Sequence, residues 1–214
     1  MPGRRWTSAL ALLLLAGCGS GTLAPPVDDP AARRQLSDAF LRFRQNVQED
    51  RADSLAGGLS RDTRRWLDDM RYAARSEPLE FLKDRPFHEA LCILALRVER
   101  RLNPGFDDKT PNLLRKLVIE NAPVRKTLLK TELGEPRIRG DAGEIGLREA
   151  PNVPVFFFAK EDRAWKFHLV KSLPLILQGA ESLARQRKPT RVEQAIYILE
   201  TFGGKQVLPE DLRR

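Results

Sequence analysis

The hydrophobic residues of this chain repeat at helical spacing through its first half and more, then switch to strict alternation. That switch limits the fold more than any other feature. Leu36, Phe40, Phe43 and Val47 recur at steps of four, three and four, which draws one apolar stripe along a helix. Trp66, Leu67, Met70 and Ala74 follow the same rule. So do Phe87, Leu91, Leu94, Ala95, Val98 and Leu102, and then Leu113, Leu114, Leu117 and Val118. The stretch VPVFFFAKEDRAWKFHLV breaks the rule. Val155 to Phe158 is continuously apolar, Lys160 to Arg163 is polar enough to turn, and Trp165, Phe167 and Leu169 alternate with Lys166, His168 and Val170. Alternation sends successive side chains to opposite faces, so one face of a sheet packs on a core. A β-hairpin after a series of helices makes the fold class α+β.

Punctuation divides the rest. Asp28 and Asp29 precede Pro30, a capped start in which the missing N–H costs nothing. A short helical piece around Leu55 stops at Gly57-Gly58, and Ser60 can cap the next helix. Pro78 interrupts, Pro86 restarts, Asn103-Pro104-Gly105 turns, and Thr110-Pro111 opens a helix that ends near Asn121. Val124 to Leu133 suits a strand or a helix equally. Arg137 to Arg139 and Glu144 to Arg148 flank Gly140-Asp141-Ala142-Gly143, a hairpin-like connection. Near the end, Thr190 and Glu193 form a capping-box pattern ahead of Val192, Ile196, Leu199 and Phe202, with Gly203 at the stop and a last turn around Pro209 to Leu212. The expected layout is one α+β domain over 31–214, helical over 31–121, a sheet over about 124–171 and a helical tail over 174–214. Its length fits the ~100–200 residues of one domain.

The first residues give an address. Arg4 and Arg5 lead into the apolar run Ala9 to Leu15, then Ala16, Gly17 and Cys18. This is the order of a secretory signal, and the run is shorter than the ~20 residues of a membrane-spanning helix. Leu15-Ala16-Gly17-Cys18 resembles the lipobox of bacterial lipoproteins at all four positions. The resemblance implies a signal peptide over 1–17, with Cys18 diacylglyceryl-modified on sulfur and acylated on its new amino terminus by chains such as palmitate. Two or more chains anchor stably where one gives marginal binding. The alternative is an ordinary signal peptide that happens to contain a cysteine. Gly19 resembles the sorting position of lipoproteins passed to an outer membrane, which implies a bacterial cell envelope location facing the periplasm. Residues 18–30, rich in glycine, serine and proline, form a flexible tether; its twelve residues after the cysteine span at most about 40 Å.

The net charge is +8 at pH 7, with basic clusters at Arg64-Arg65, Arg100-Arg101, Arg185 to Lys188 with Arg191, and Arg213-Arg214. Acids lie among most of them, the pattern of solvated helix faces. The other reading is attraction to an anionic membrane, worth ~1 kcal/mol per nearby basic side chain. No nucleic-acid partner is expected, because the leader points out of the cytoplasm. If Cys18 carries lipid, Cys92 has no partner in the chain and is either buried or reactive.

Helices first and a terminal hairpin last is an order that resembles the nuclear transport factor two-like superfamily, the cone-shaped α+β fold of ketosteroid isomerases and polyketide cyclases. AFLRFRQNVQEDRADSLAGGLSRDTRRW, from Ala39 to Trp66, is similar to that family's opening helices, and the hairpin ending in Trp165-Lys166 to its last strands. The resemblance implies a curved, cone-like antiparallel sheet under the N-terminal helices. Residues 78–121 and 174–214 are additions to the minimal cone, able to cover the sheet or plug its mouth. No position matches a catalytic motif of the isomerase branch.

Chemistry-bearing motifs are few. HExxH, GxSxG, CxxC and the P-loop are missing, Gly203-Gly204-Lys205 lacks the rest of a phosphate loop, and two histidines exclude a histidine-rich metal site. His88 and Cys92 lie four apart on one helical face, with Glu99 a heptad further on. They are an activated thiol, two ligands of a soft metal, or a small core cysteine beside a helix-start histidine. His168, on the strand face opposite Trp165, is a pocket base among Phe156, Phe158 and Val170 if that face lines a cone, and otherwise a partly exposed side chain. Tyr72 is the donor such a pocket would need. Asp68-Asp69 and Asp107-Asp108 point apart and read as surface charge and turn chemistry. Catalytic residues, metal and cofactor are therefore not assigned. The function expected first is a non-catalytic envelope lipoprotein binding a protein or envelope component. A cone holding a small apolar ligand and an isomerase- or cyclase-type enzyme are the alternatives.

Overall fold

Asp29 opens the first helix by accepting the Ala31 amide at 2.9 Å, and Pro30 follows in the first turn. The computed structural model describes residues 29–212. Helix α1 (Pro30–Gln48) buries Leu36, Phe40, Phe43 and Val47, the stripe its spacing predicts. The short α2 (Ala52–Gly57) turns the chain into α3 (Arg61–Ser76), whose Ser60 cap accepts the Thr63 amide at 3.3 Å. Then come α4 (Leu79–Leu82), α5 (Phe87–Leu102) and α6 (Thr110–Leu114). A π-helical turn, Arg115–Ile119, joins α6 to α7 (Ala122–Lys130), with the wide i to i+5 bond from the Glu120 amide to the Arg115 carbonyl.

Four strands follow as an antiparallel meander: β1 (Leu133–Arg139), β2 (Ala142–Leu147), β3 (Pro154–Glu161) and β4 (Ala164–Phe167). Asp162 and Arg163 join β3 to β4 with φ of 51° and 64°, the paired positive values of a type I′ hairpin turn. One sheet edge is covered. The Phe167 amide donates to the Gly58 carbonyl at 2.8 Å and the Ser60 amide to the Phe167 carbonyl at 3.0 Å, so the α2–α3 link lies along β4. The other edge strand carries Pro136, which has no N–H to offer a foreign strand.

Helix α1 lies across one sheet face. Ile138, Ile145, Phe156, Phe158, Trp165 and Phe167 are buried there. Phe40 meets Phe156 at 4.5 Å between ring centres, and Phe43 meets Phe167 at 4.2 Å. Gly143 makes room, because a Cβ on it would come within 2.7 Å of the Leu36 side chain. The fold is thus α+β, with helices before and after a curved antiparallel sheet.

The boundaries differ from the expected layout in three places. The sheet spans Leu133–Phe167 rather than about 124–171, because the ambiguous stretch is helix α7. Asn121 starts that helix by accepting the Val124 amide at 3.3 Å, and Val124 and Leu128, one turn apart, are buried. The alternation after Trp165 stops at Phe167, and the tail begins at Leu169 rather than 174, as α8 (Leu169–Ile176). Phe157 then has a ladder amide with no strand beside it, and Ser172 of α8 accepts it at 2.9 Å. The tail continues as α9 (Gln178–Arg185), α10 (Arg191–Gly203), which begins with the Thr190–Glu193 capping box, and α11 (Pro209–Leu212).

Helix α5 also departs from a single stripe. Ala90, Cys92, Ile93, Leu96, Arg97 and Glu99 are buried with Phe87, Leu91, Leu94 and Val98, while Ala95 is half-buried and Leu102 exposed. It packs against both α3 and α10, so both flanks are covered. The charged residues among these face other segments. Arg97 donates to the carbonyls of Ala73, Glu77 and Asp211, and Arg101 to the Asp211 carboxylate at 3.0 Å. Glu99 receives Lys116 of the π turn at 3.0 Å and Lys205 of the tail at 2.8 Å. Burial acts to raise the Glu99 carboxyl, and the two ammoniums together hold it below its ordinary range.

Candidate functional site

His168 is the residue whose position changes most from expectation. It is not on a strand facing Phe156 and Phe158; it precedes α8 and lies on the outer side of the sheet. The polar depression around it encloses about 430 Å³ and is lined by Asp62, Arg137, Arg139, Glu144, Phe157 and Lys171. Its Nε2 is 3.6 Å from Asp62 Oδ2, too long for a hydrogen bond, and its buried Nδ1 has no partner. Burial holds the imidazole below its ordinary range, against the opposing pull of Asp62. Tyr72 does not join it. Tyr72 is 73% exposed and borders a separate surface depression beside Phe81, Pro78 and Arg85. There Arg85 is held by Glu77 at 2.6 Å and Glu89 at 2.8 Å, an ion-paired cluster in which Glu89 also accepts Trp66 Nε1.

His88 and Cys92 share α5, in different surroundings. His88 stacks on Trp66 at 6.3 Å between ring centres, and burial holds its imidazole below the usual range. Cys92 is buried, and burial pushes its thiol up, so the thiolate a nucleophile or metal ligand needs is suppressed. We expect the Cys92 thiol, in a chain with Cys18→Ser, to resist a thiol reagent at pH 8 and to react only under unfolding concentrations of urea. Stoichiometric labelling of the folded protein within minutes would show that the site is open. Glu99, further along α5, is taken up by its two lysines. Among the described residues, no group of three His, Cys, Asp or Glu side chains is placed to hold a metal ion.

Of the acid pairs, Asp68 and Asp69 are exposed, and Asp68 pairs with Arg71 at 2.9 Å. Asp107 accepts the Lys109 amide at 3.2 Å, as turn chemistry predicts. Asp108 is different: it is buried between Arg75 and Arg100. Cys18 lies outside the described residues.

A larger groove was invisible in the sequence. It encloses about 680 Å³ between α7, α8 and α9, with Phe202 of α10 on its wall. Leu175, Ile176, Ala180 and Leu183 supply apolar lining, and Lys126 and Lys130 supply ammonium groups. Phe202, expected to complete a buried stripe, is 41% exposed there, while Ile198 and Ala195 take the core positions of α10. The only sequence hint was an aromatic residue one position before the glycine that ends the helix.

No protein-family model, curated protein or solved structure matches this chain. Function therefore rests on the residues themselves, and they divide into separate depressions instead of converging on one site.

Proposed function

We propose that this protein is a lipid-anchored domain of a bacterial envelope that binds a protein or an envelope component and performs no chemistry of its own. The Leu15-Ala16-Gly17-Cys18 box supports the anchor, and residues 19–28, rich in glycine, serine and proline, supply the chain between it and the Asp29 cap of the first helix. The observation that favours a non-catalytic role is the filled sheet face. Phe40 and Phe43 occupy the space against Phe156, Phe158 and Phe167 that a cone would leave for a ligand or substrate. This packing favours a scaffold over an internal ligand cage or an isomerase-type site.

Two measurements test the proposal. Radiolabelled palmitate is expected to label the wild-type chain in cells, and Cys18→Ser to abolish the label and move the protein from the membrane to the soluble fraction. An unlabelled wild type, or a Cys18→Ser chain that fractionates as before, overturns the anchor. Native mass spectrometry is expected to show no small molecule held against the sheet face, and a retained apolar ligand lost on Phe40→Leu would overturn the filled-face role.

A further inference from the structure

The groove between α7, α8 and α9 combines an apolar floor with uncommitted positive charge. Lys126 and Lys130 lie four apart on α7 and so on the same side of it. Among the described residues neither has a hydrogen-bond or ion-pair partner. The lining holds two carboxylates. Glu132 is engaged by Arg148 at 2.8 Å, which leaves Glu149 as the one unpaired acid against two ammoniums. The floor is Leu175, Ile176, Ala180 and Leu183, and the exposed Phe202 ring stands beside it.

We propose that this groove binds an anionic single-chain amphiphile, with the alkyl chain on the Leu175–Leu183 floor and a carboxylate or phosphate head at Lys126 and Lys130. Apolar surface with a few placed charges is the usual make-up of a small-molecule site, and about 680 Å³ lies inside the ~300–1,000 Å³ range of such sites. Sixteen carbons at roughly the ~30 Å³ a liquid water occupies need on the order of 480 Å³. One chain fits and a second overfills the groove. Cation-bearing walls distinguish an anionic head from a neutral one, because an ammonium left facing an uncharged head gains nothing from it. The site is separate from the filled sheet face and does not depend on lipid at Cys18.

The test titrates palmitate, below its micellar concentration, into the full-length chain carrying Cys18→Ser and purified without detergent. Binding is read by calorimetry and native mass spectrometry, with hexadecyl phosphate as the second anionic head and hexadecanol as the uncharged chain. One equivalent of palmitate or of hexadecyl phosphate is expected to bind, and the tighter of the two shows which head chemistry the lysine pair prefers. Lys126→Glu combined with Lys130→Glu is expected to weaken binding about tenfold or more, Glu149→Gln to tighten it, and hexadecanol to bind about tenfold more weakly. All of these positions are exposed, so the variants keep the wild-type circular dichroism. Absence of saturable binding by the folded chain, or equal affinity in the double-lysine variant, overturns the proposal. So does binding that survives Phe202→Asp and Leu183→Asp, because it then lies elsewhere, the apolar Ala9 to Leu15 stretch included. A failure here leaves the palmitate-labelling result untouched, so the two proposals fall separately.

Discussion

Phe40→Ala is expected to lower the unfolding free energy by about 3–5 kcal/mol, the cost of deleting a buried aromatic ring. Phe40 is fully buried and contacts three rings of the sheet, Phe156, Phe158 and Phe167, at 4.5, 6.3 and 6.4 Å between centres. Two terms add. The ring loses its transfer out of water, and the rings around it cannot collapse into the gap, because β3 and β4 are held in register by their ladder. On its other side the ring carries the Arg44 guanidinium at 4.9 Å, a contact also lost. Against a typical total of ~5–15 kcal/mol, the variant is left marginal. Urea unfolding followed by tryptophan fluorescence measures the change, since Trp165 lies on the same sheet face. Phe81→Ala, at a ring 57% exposed, is the control and should cost less than about 0.5 kcal/mol. Equal costs for the two would mean that α1 does not pack on the sheet as described.

Asp108→Ala carries the second large effect, about 3 kcal/mol, the low end of the cost of removing one partner from a buried ion pair. Arg75 donates to both Asp108 oxygens at 2.8 Å, and Arg100 donates to Oδ2. The Asp108 and Arg100 side chains are only 10% and 16% exposed, so removing the carboxylate leaves Arg100 charged and poorly solvated. Arg75 keeps 59% of its side-chain surface, which discounts its share. Burial acts to raise the Asp108 carboxyl, and Arg100 and Arg75 together hold it below the usual carboxylate range. A folded-state value below the unfolded ~3.9 stabilises the native state above that unfolded value, and the contribution disappears as pH falls through the lower folded value. The stability gap between wild type and Asp108→Asn should therefore be constant near neutral pH and close in acid below about pH 4. Urea midpoints across that range check it. A gap that persists unchanged to the acid limit would mean that Asp108 contributes by shape and not by charge.

Local signals in the sequence were strong enough to place most elements. Asp29, Ser60 and the Thr190–Glu193 pair start α1, α3 and α10 where capping chemistry puts them. Three failures have physical causes. Asn121 does follow a helix end, since the run from Thr110 stops at Ile119, but it also caps the start of α7, and that restart was missed because a short amide side chain satisfies free backbone groups at either end of a helix. His168 fitted the alternation of β4, yet the chain leaves the sheet one residue earlier, where Ser172 offers Phe157 a partner that no strand supplies. The Arg100-Arg101 cluster read as a solvated helix face, and both side chains are instead mostly covered, because Asp108, past the end of the helix, and Asp211 of the tail bring them carboxylates.

The candidate site was less legible than the fold. His88, Cys92, His168 and Tyr72 stood out by residue type, and the structure distributes them among the core and two depressions. The groove that does combine charge with apolar surface draws Lys126, Leu175, Leu183 and Phe202 from four separate helices. Their separations along the chain follow no period, so no pattern announces them.

Spacing, caps and turn residues act between neighbours a few positions apart, and so most of the order of helices and strands and the α+β class can be read from the chain directly. Which ring fills the sheet face, which arginine is buried, and which surface stays open depend on segments about a hundred residues apart, as Arg97 and Asp211 are. Those contacts exist only after the helices pack. The energy that decides them, burial of one surface against another, belongs to the pair of surfaces and to neither stretch of chain alone.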